Sequence, residues 1–130
     1  MISVPIHPGI QASTEEMVGL RRQIHANPEL GYEEFQTSDL VAQRLARWGY
    51  AVHRGLGGTG VVGTLRLGQG GKRLGLRADM DALPMTETTG LSWASRKPGA
   101  MHACGHDGHT AMLLAAAQVL GAAKGVDGTA

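Results

Sequence analysis

The sequence predicts an α/β fold, a mixed sheet flanked by helices, and three observations carry that expectation. Apolar residues recur at helical spacing in the first third of the chain, at Met17, Leu20 and Ile24 and again at Val41, Leu45 and Trp48. They alternate at strand spacing in the middle, from Val61 to Met80. Near the end they form an almost unbroken run, Ala111 to Leu120, interrupted only by Gln118. Helix, strand and buried helix in that order suit a layered α/β arrangement.

Taken in order, residues 1–13 read as an N-terminal extension, with His7 in a mobile terminus. Ser13-Thr14-Glu15-Glu16 matches a capping box, with Ser13 as N-cap and Glu16 reaching back to it. The helix that follows stops at Asn27-Pro28. A second helix is expected from about Glu34 to Trp48, with Gly49 as its C-terminal stop. Tyr50 to His53 reads as a short strand that ends in a glycine turn.

Val61, Gly63, Leu65 and Leu67 then share one face of a strand, and Gly68-Gln69-Gly70-Gly71 supplies a turn. A hairpin partner is expected from Arg73 to Met80, with Leu74, Leu76, Ala78 and Met80 on one face. Residues 82–100 should be irregular, broken by Pro84, Pro98 and Gly99. A helix from Gly108 to Ala123 should be buried nearly all round.

Composition narrows the function classes. A net charge of +1 with histidine neutral argues against nucleic acid or an acidic membrane as the main partner. One cysteine permits no internal disulfide and suits a reducing compartment. Residues 1–12 lack a basic start and a long apolar stretch, so no secretory signal is expected and the cytoplasm is the default. The 20 glycines cluster around 55–60, 63–75 and 105–108, the pattern of tight turns and close backbone approaches.

The chemistry concentrates in Met101-His102-Ala103-Cys104-Gly105-His106-Asp107-Gly108-His109. Thiolate, imidazole and carboxylate are the donors a borderline-soft divalent metal prefers. Cys104 and His106 converge only if Gly105 bends the backbone, and the following helix points its positive end at the turn, favouring the thiolate. Two other readings compete. One is a structural cysteine beside solvated histidines, and the other is a thiol–imidazole nucleophile pair.

Asp107 reads equally well as a helix N-cap. His102 and His109 are weaker ligand candidates, and His25 and His53 have no local partners. Asp79 and Asp81 point to one strand face, roughly 6.5 Å apart along the chain. They sit at the C-terminal strand end, where open α/β sheets place their sites. The bland alternative is a turn in which Asp79 pairs with Arg77. Gly55-Leu56-Gly57-Gly58-Thr59-Gly60 matches a dinucleotide fingerprint, but it leads into a strand, whereas a phosphate loop opens a helix.

Four blocks in order carry a family resemblance. They are Arg21 to Glu34 (RRQIHANPELGYEE), Gly58 to Gly63 (GTGVVG), Leu76 to Pro84 (LRADMDALP) and His102 to Leu113 (HACGHDGHTAML). Together they resemble the metal-dependent N-acyl amino acid amidohydrolases, the group of hippurate and auxin-conjugate hydrolases, related to aminoacylase and the binuclear carboxypeptidases. Asn27 departs from the histidine frequent there. The resemblance implies that Cys104 and His106 are metal ligands, with Cys104 in place of a bridging aspartate. It implies that Asp81 orients the metal site as a catalytic residue, and that Asp79 stands where relatives carry a ligating histidine.

The implied reaction is hydrolysis of the amide of a small N-acyl amino acid at two divalent metals, manganese or zinc. A glutamate from a downstream Glu-Glu motif would act as base. On this resemblance residues 14–130 are the N-terminal part of a catalytic domain, truncated before that motif and before an inserted dimerisation domain. A homodimer is expected only for the full-length form. The alternative is an inactive fragment that binds metal weakly or not at all.

Overall fold

A computed structural model describes residues 4–130. Four helices, α1 (Pro8–Ala12), α2 (Thr14–Ala26), α3 (Phe35–Arg47) and α4 (His106–Gly121), are joined by four short strands. These are β1 (Ala51–Leu56), β2 (Gly60–Thr64), β3 (Arg66–Leu67) and β4 (Gly128–Thr129). The architecture is the expected α/β class, with the sheet present as two antiparallel pairs, β1–β2 and β3–β4.

The helical side is complete. Met17, Leu20 and Ile24 of α2 and Val41 and Leu45 of α3 meet Leu114, Ala115 and Ala117 of α4 in one core. Tyr50 and Leu65 close it from below. The buried Tyr50 hydroxyl donates to the Ala117 carbonyl at 2.9 Å, and burial raises its pKa. Glu29 anchors the start of α3 by accepting from the Gln36 and Thr37 amides and the Thr37 hydroxyl. Asn27 and Gly49 end α2 and α3 as expected, Gly49 at φ +87°.

Two local expectations fail here. Ser13 precedes α2, but its hydroxyl donates back to the Ile10 carbonyl, so the capping box does not form. That carbonyl is available because Pro8–Ala12 already turns as α1, with His7 accepting from the Gly9 amide. In α4, Met112 remains 63% exposed, so the helix buries most but not all of its circumference.

The sheet side differs from the expected hairpin. The hairpin partner of β2 is β1, in the register Val52↔Gly63 and Arg54↔Val61 with a bulge before Leu56. The glycine-rich stretch 55–60 is therefore a hairpin turn, not a phosphate loop. Gly63 lets this hairpin approach α3, since a Cβ there would lie 3.0 Å from Leu45 Cδ1.

Residues 74–80 run extended without ladder partners, and Leu74 and Leu76 are 57% and 51% exposed. They do not pair with β2. At the base, Thr129 donates to the Lys72 carbonyl and accepts from the Leu74 amide, while Ala130 and Leu65 exchange both backbone bonds. Residues 128–130 thus hold the two segments a strand's width apart. Above them lies a groove of about 1410 Å³ between residues 60–66 and 73–81, floored by Leu113, Leu114 and Ala117 of α4. No helix among the described residues is long and apolar enough to cross a membrane.

Candidate metal centre

Three segments meet at the N-terminus of α4. The extended segment 74–81 delivers Asp79 and Asp81, the irregular segment 82–105 ends in the Cys104 turn, and α4 opens at His106. Gly105 precedes α4 in the left-handed region, φ +78°, which supplies the bend that the sequence requires between Cys104 and His106. Thr110 fastens the arrangement by donating its hydroxyl to the Asp79 carbonyl at 3.0 Å.

His106 is oriented by Asp81. Its Nδ1 lies 2.8 Å from Asp81 Oδ1 and 3.0 Å from the Asp81 carbonyl oxygen. Donation from Nδ1 leaves Nε2 as the ring's lone-pair donor, the tautomer in which a carboxylate-held histidine ligates a metal. The Cys104 side chain is exposed beside the helix N-terminus, accessible to a cation. A soft thiolate, a pre-oriented imidazole and a supporting carboxylate form a donor set that fits a divalent cation. Among the described residues, no three His, Cys, Asp or Glu side chains converge on a single point.

Asp79 does not turn toward His106. Its carboxylate pairs with Arg77 at 2.6 Å on an open surface, the bland arrangement. His109 is exposed, with its ring 5.6 Å from that of His106, and His53 is exposed on β1.

Two residues behave contrary to expectation. Asp107 is not an N-cap. It is 1% exposed and accepts from Arg21 at 2.9 Å and from His25 Nδ1 at 2.7 Å. His25 is accordingly neither a surface residue nor a mere packing residue, and its Nε2 also faces both oxygens of Glu87 at 3.2 Å. The signal was present in the spacing. Arg21 and His25 are one helical turn apart and continue the row from Met17, beside an otherwise apolar stripe. Their carboxylate partners lie far along the chain, so the pattern alone could not name them.

Burial of the Glu87 carboxylate works to raise its pKa. Hydrogen bonds from the Thr89 hydroxyl, the Ser95 amide and His25, with the attraction of His25, outweigh that and leave it lowered. His102 is also buried, at 3% exposed, and neither ring nitrogen has a protein partner. Burial lowers its pKa and favours the neutral ring.

The chain is similar to known proteins in both sequence and structure. Residues 75–129 match the model of peptidase family M20/M25/M40. The chain is 56% identical over 105 residues to the hippurate hydrolase of Campylobacter jejuni, covering 81% of the chain and 27% of that protein. It is 52% identical over 104 residues to IAA-amino acid hydrolase ILR1-like 5 of Arabidopsis thaliana, covering 80% and 24%.

Among solved structures it superposes on the Bacillus subtilis YXEP protein, a dinuclear metal-binding peptidase of the M20 family. The TM-score is 0.85 at 34% identity, covering 92% of this chain and 34% of that one. The chain belongs to the M20 family and is similar to the N-terminal portion of its members, proteins named hippurate hydrolase and IAA-amino acid hydrolase among them. It spans about a quarter of the length of these curated relatives.

Proposed function

We propose that this chain contributes the Cys104–His106 corner of a hydrolase that cleaves the amide bond of small N-acyl amino acids. The observation that carries the reading is the His106–Asp81 pair beside an exposed cysteine at the opening of α4. A divalent cation held there, manganese or zinc, would supply Lewis acidity and water activation. Cys104 and His106 would hold it, with Asp81 fixing the His106 tautomer and ring plane. The groove beside Asp79 and Asp81 leads to this corner, and its apolar lining suits an acyl group. Paired metals belong to the same proposal, by likeness to the dinuclear metal-binding peptidase, while a cytoplasmic setting and a dimer of the longer form belong to it only as expectations from the sequence.

A second reading is that the chain alone binds a cation weakly and does not turn over substrate. It is favoured by the donor set, in which no three ligating side chains converge among the described residues. Hippurate hydrolysis by the purified chain with added Mn²⁺ separates the two. Turnover above a Cys104→Ala control supports catalysis by this chain. Cys104-dependent metal binding without turnover supports the second reading, and the absence of both contradicts the metal corner itself.

A further inference from the structure

We infer that His25 is a positioning residue for the Cys104–Gly105–His106 turn, acting through Asp107; this rests on reading Cys104 and His106 as metal ligands. Asp107 follows His106 directly, in the first turn of α4, so whatever fixes its carboxylate fixes the backbone that carries His106. Its Oδ2 is held from α2 by two donors one helical turn apart, Arg21 NH1 at 2.9 Å and His25 Nδ1 at 2.7 Å. Of these His25 is the buried one, whereas the Arg21 side chain is about one third exposed. The shorter and drier contact is the stiffer anchor.

The opposite edge of the His25 ring faces Glu87 in the irregular segment that leads to Cys104. That segment is tied to α2 and to the residues just after it at three further points. Ala82 donates to the Glu29 carbonyl and Arg96 to the Ala26 carbonyl, while Arg22 stacks 3.9 Å from the Trp93 ring centre. His25 therefore sits where α2 grips both sides of the turn, the approach to Cys104 and the exit through Asp107. His106 is held twice, by Asp81 at its ring and by the Asp107–His25 contact at its backbone. The two constraints come from different elements, so loss of one leaves the imidazole free to tilt about the other.

The test uses Cd²⁺ titration of the 130-residue chain, read by thiolate-to-metal ultraviolet absorption, with Cys104→Ser defining the Cys104-dependent signal. His25→Ala is expected to weaken Cd²⁺ affinity about tenfold or more, the usual effect of removing an outer-shell support. His25→Asn places an amide donor near the Nδ1 position and is expected to recover most of that loss. His25→Gln, whose amide reaches toward Glu87 instead, should recover less.

Val41→Ala, a core change remote from the turn, is the control for destabilisation and should keep wild-type affinity. Wild-type affinity in His25→Ala overturns the inference, as does an equal loss in Val41→Ala at matched melting temperature. If the wild-type chain gives no Cys104-dependent absorption, the reading of the metal corner fails, and the role of His25 falls with it.

Discussion

Leu114 sits in an almost unbroken apolar run and Leu76 in an alternating one, and the first is 2% exposed while the second is 51%. The difference lies in how each element satisfies its backbone. The α4 helix closes its hydrogen bonds internally and needs only side-chain contacts, which α2, α3 and Tyr50 supply. An extended segment must find a neighbouring edge, and residues 74–80 have one only at their base, through Thr129. The helical side is thus a finished core, and the strand side is an open face around a groove.

The contrast is sharpest at the buried charges. Asp107→Ala strips the shared acceptor from Arg21 and His25; the part-exposed Arg21 can turn to water, but His25 Nδ1 is left buried without its acceptor. It is expected to cost about 3 kcal/mol, because a buried donor loses its charge-assisted partner and the tie between α2 and α4 is cut. Urea unfolding measures it, and a loss below about 1 kcal/mol would mean that the cluster is hydrated and not part of the core.

A matched pair of core-type substitutions comes next. Leu114→Ala should cost about 2–5 kcal/mol, whereas Leu76→Ala should stay within about 0.5 kcal/mol. Equal costs would erase the distinction between the two sides. The open face has a second consequence, concentration-dependent self-association through exposed apolar surface. Sedimentation velocity should show it in the wild-type chain and show less of it in Leu76→Thr. A monodisperse monomer that unfolds cooperatively at all concentrations would contradict it.

A smaller effect concerns acid. The folded pKa of Glu87 lies below its unfolded value, so the folded state favours the carboxylate. Its stabilisation is complete above the unfolded carboxylate range and is lost as pH falls through the folded value. Glu87→Gln should remove this contribution at neutral pH and flatten that part of the acid unfolding curve. An unchanged acid limb would show that Glu87 contributes no linkage.

What the sequence made legible follows the same division. The helices at 14–26 and 35–47 and the buried run after His106 were readable because helical periodicity is local. The strand after Arg73 was readable as an extended apolar segment but not in its pairing, because pairing depends on residues distant in the chain. The same limit applies at the site. The Cys104–His106 spacing and the bend at Gly105 were legible from neighbouring residues, and Asp81 came from a motif. Asp107 resembled a cap and His25 resembled a lone histidine because their contacts join positions 82 residues apart.

The central claim is that Cys104 and His106 together form a cation site oriented by Asp81. Equilibrium dialysis of Zn²⁺ against the wild-type chain and the Cys104→Ala, His106→Ala and Asp81→Ala variants tests it most directly. The wild type should bind in a manner lost in both ligand variants and weakened roughly 10–100-fold in Asp81→Ala. Wild-type Zn²⁺ binding in the Cys104→Ala,His106→Ala double variant would contradict the account.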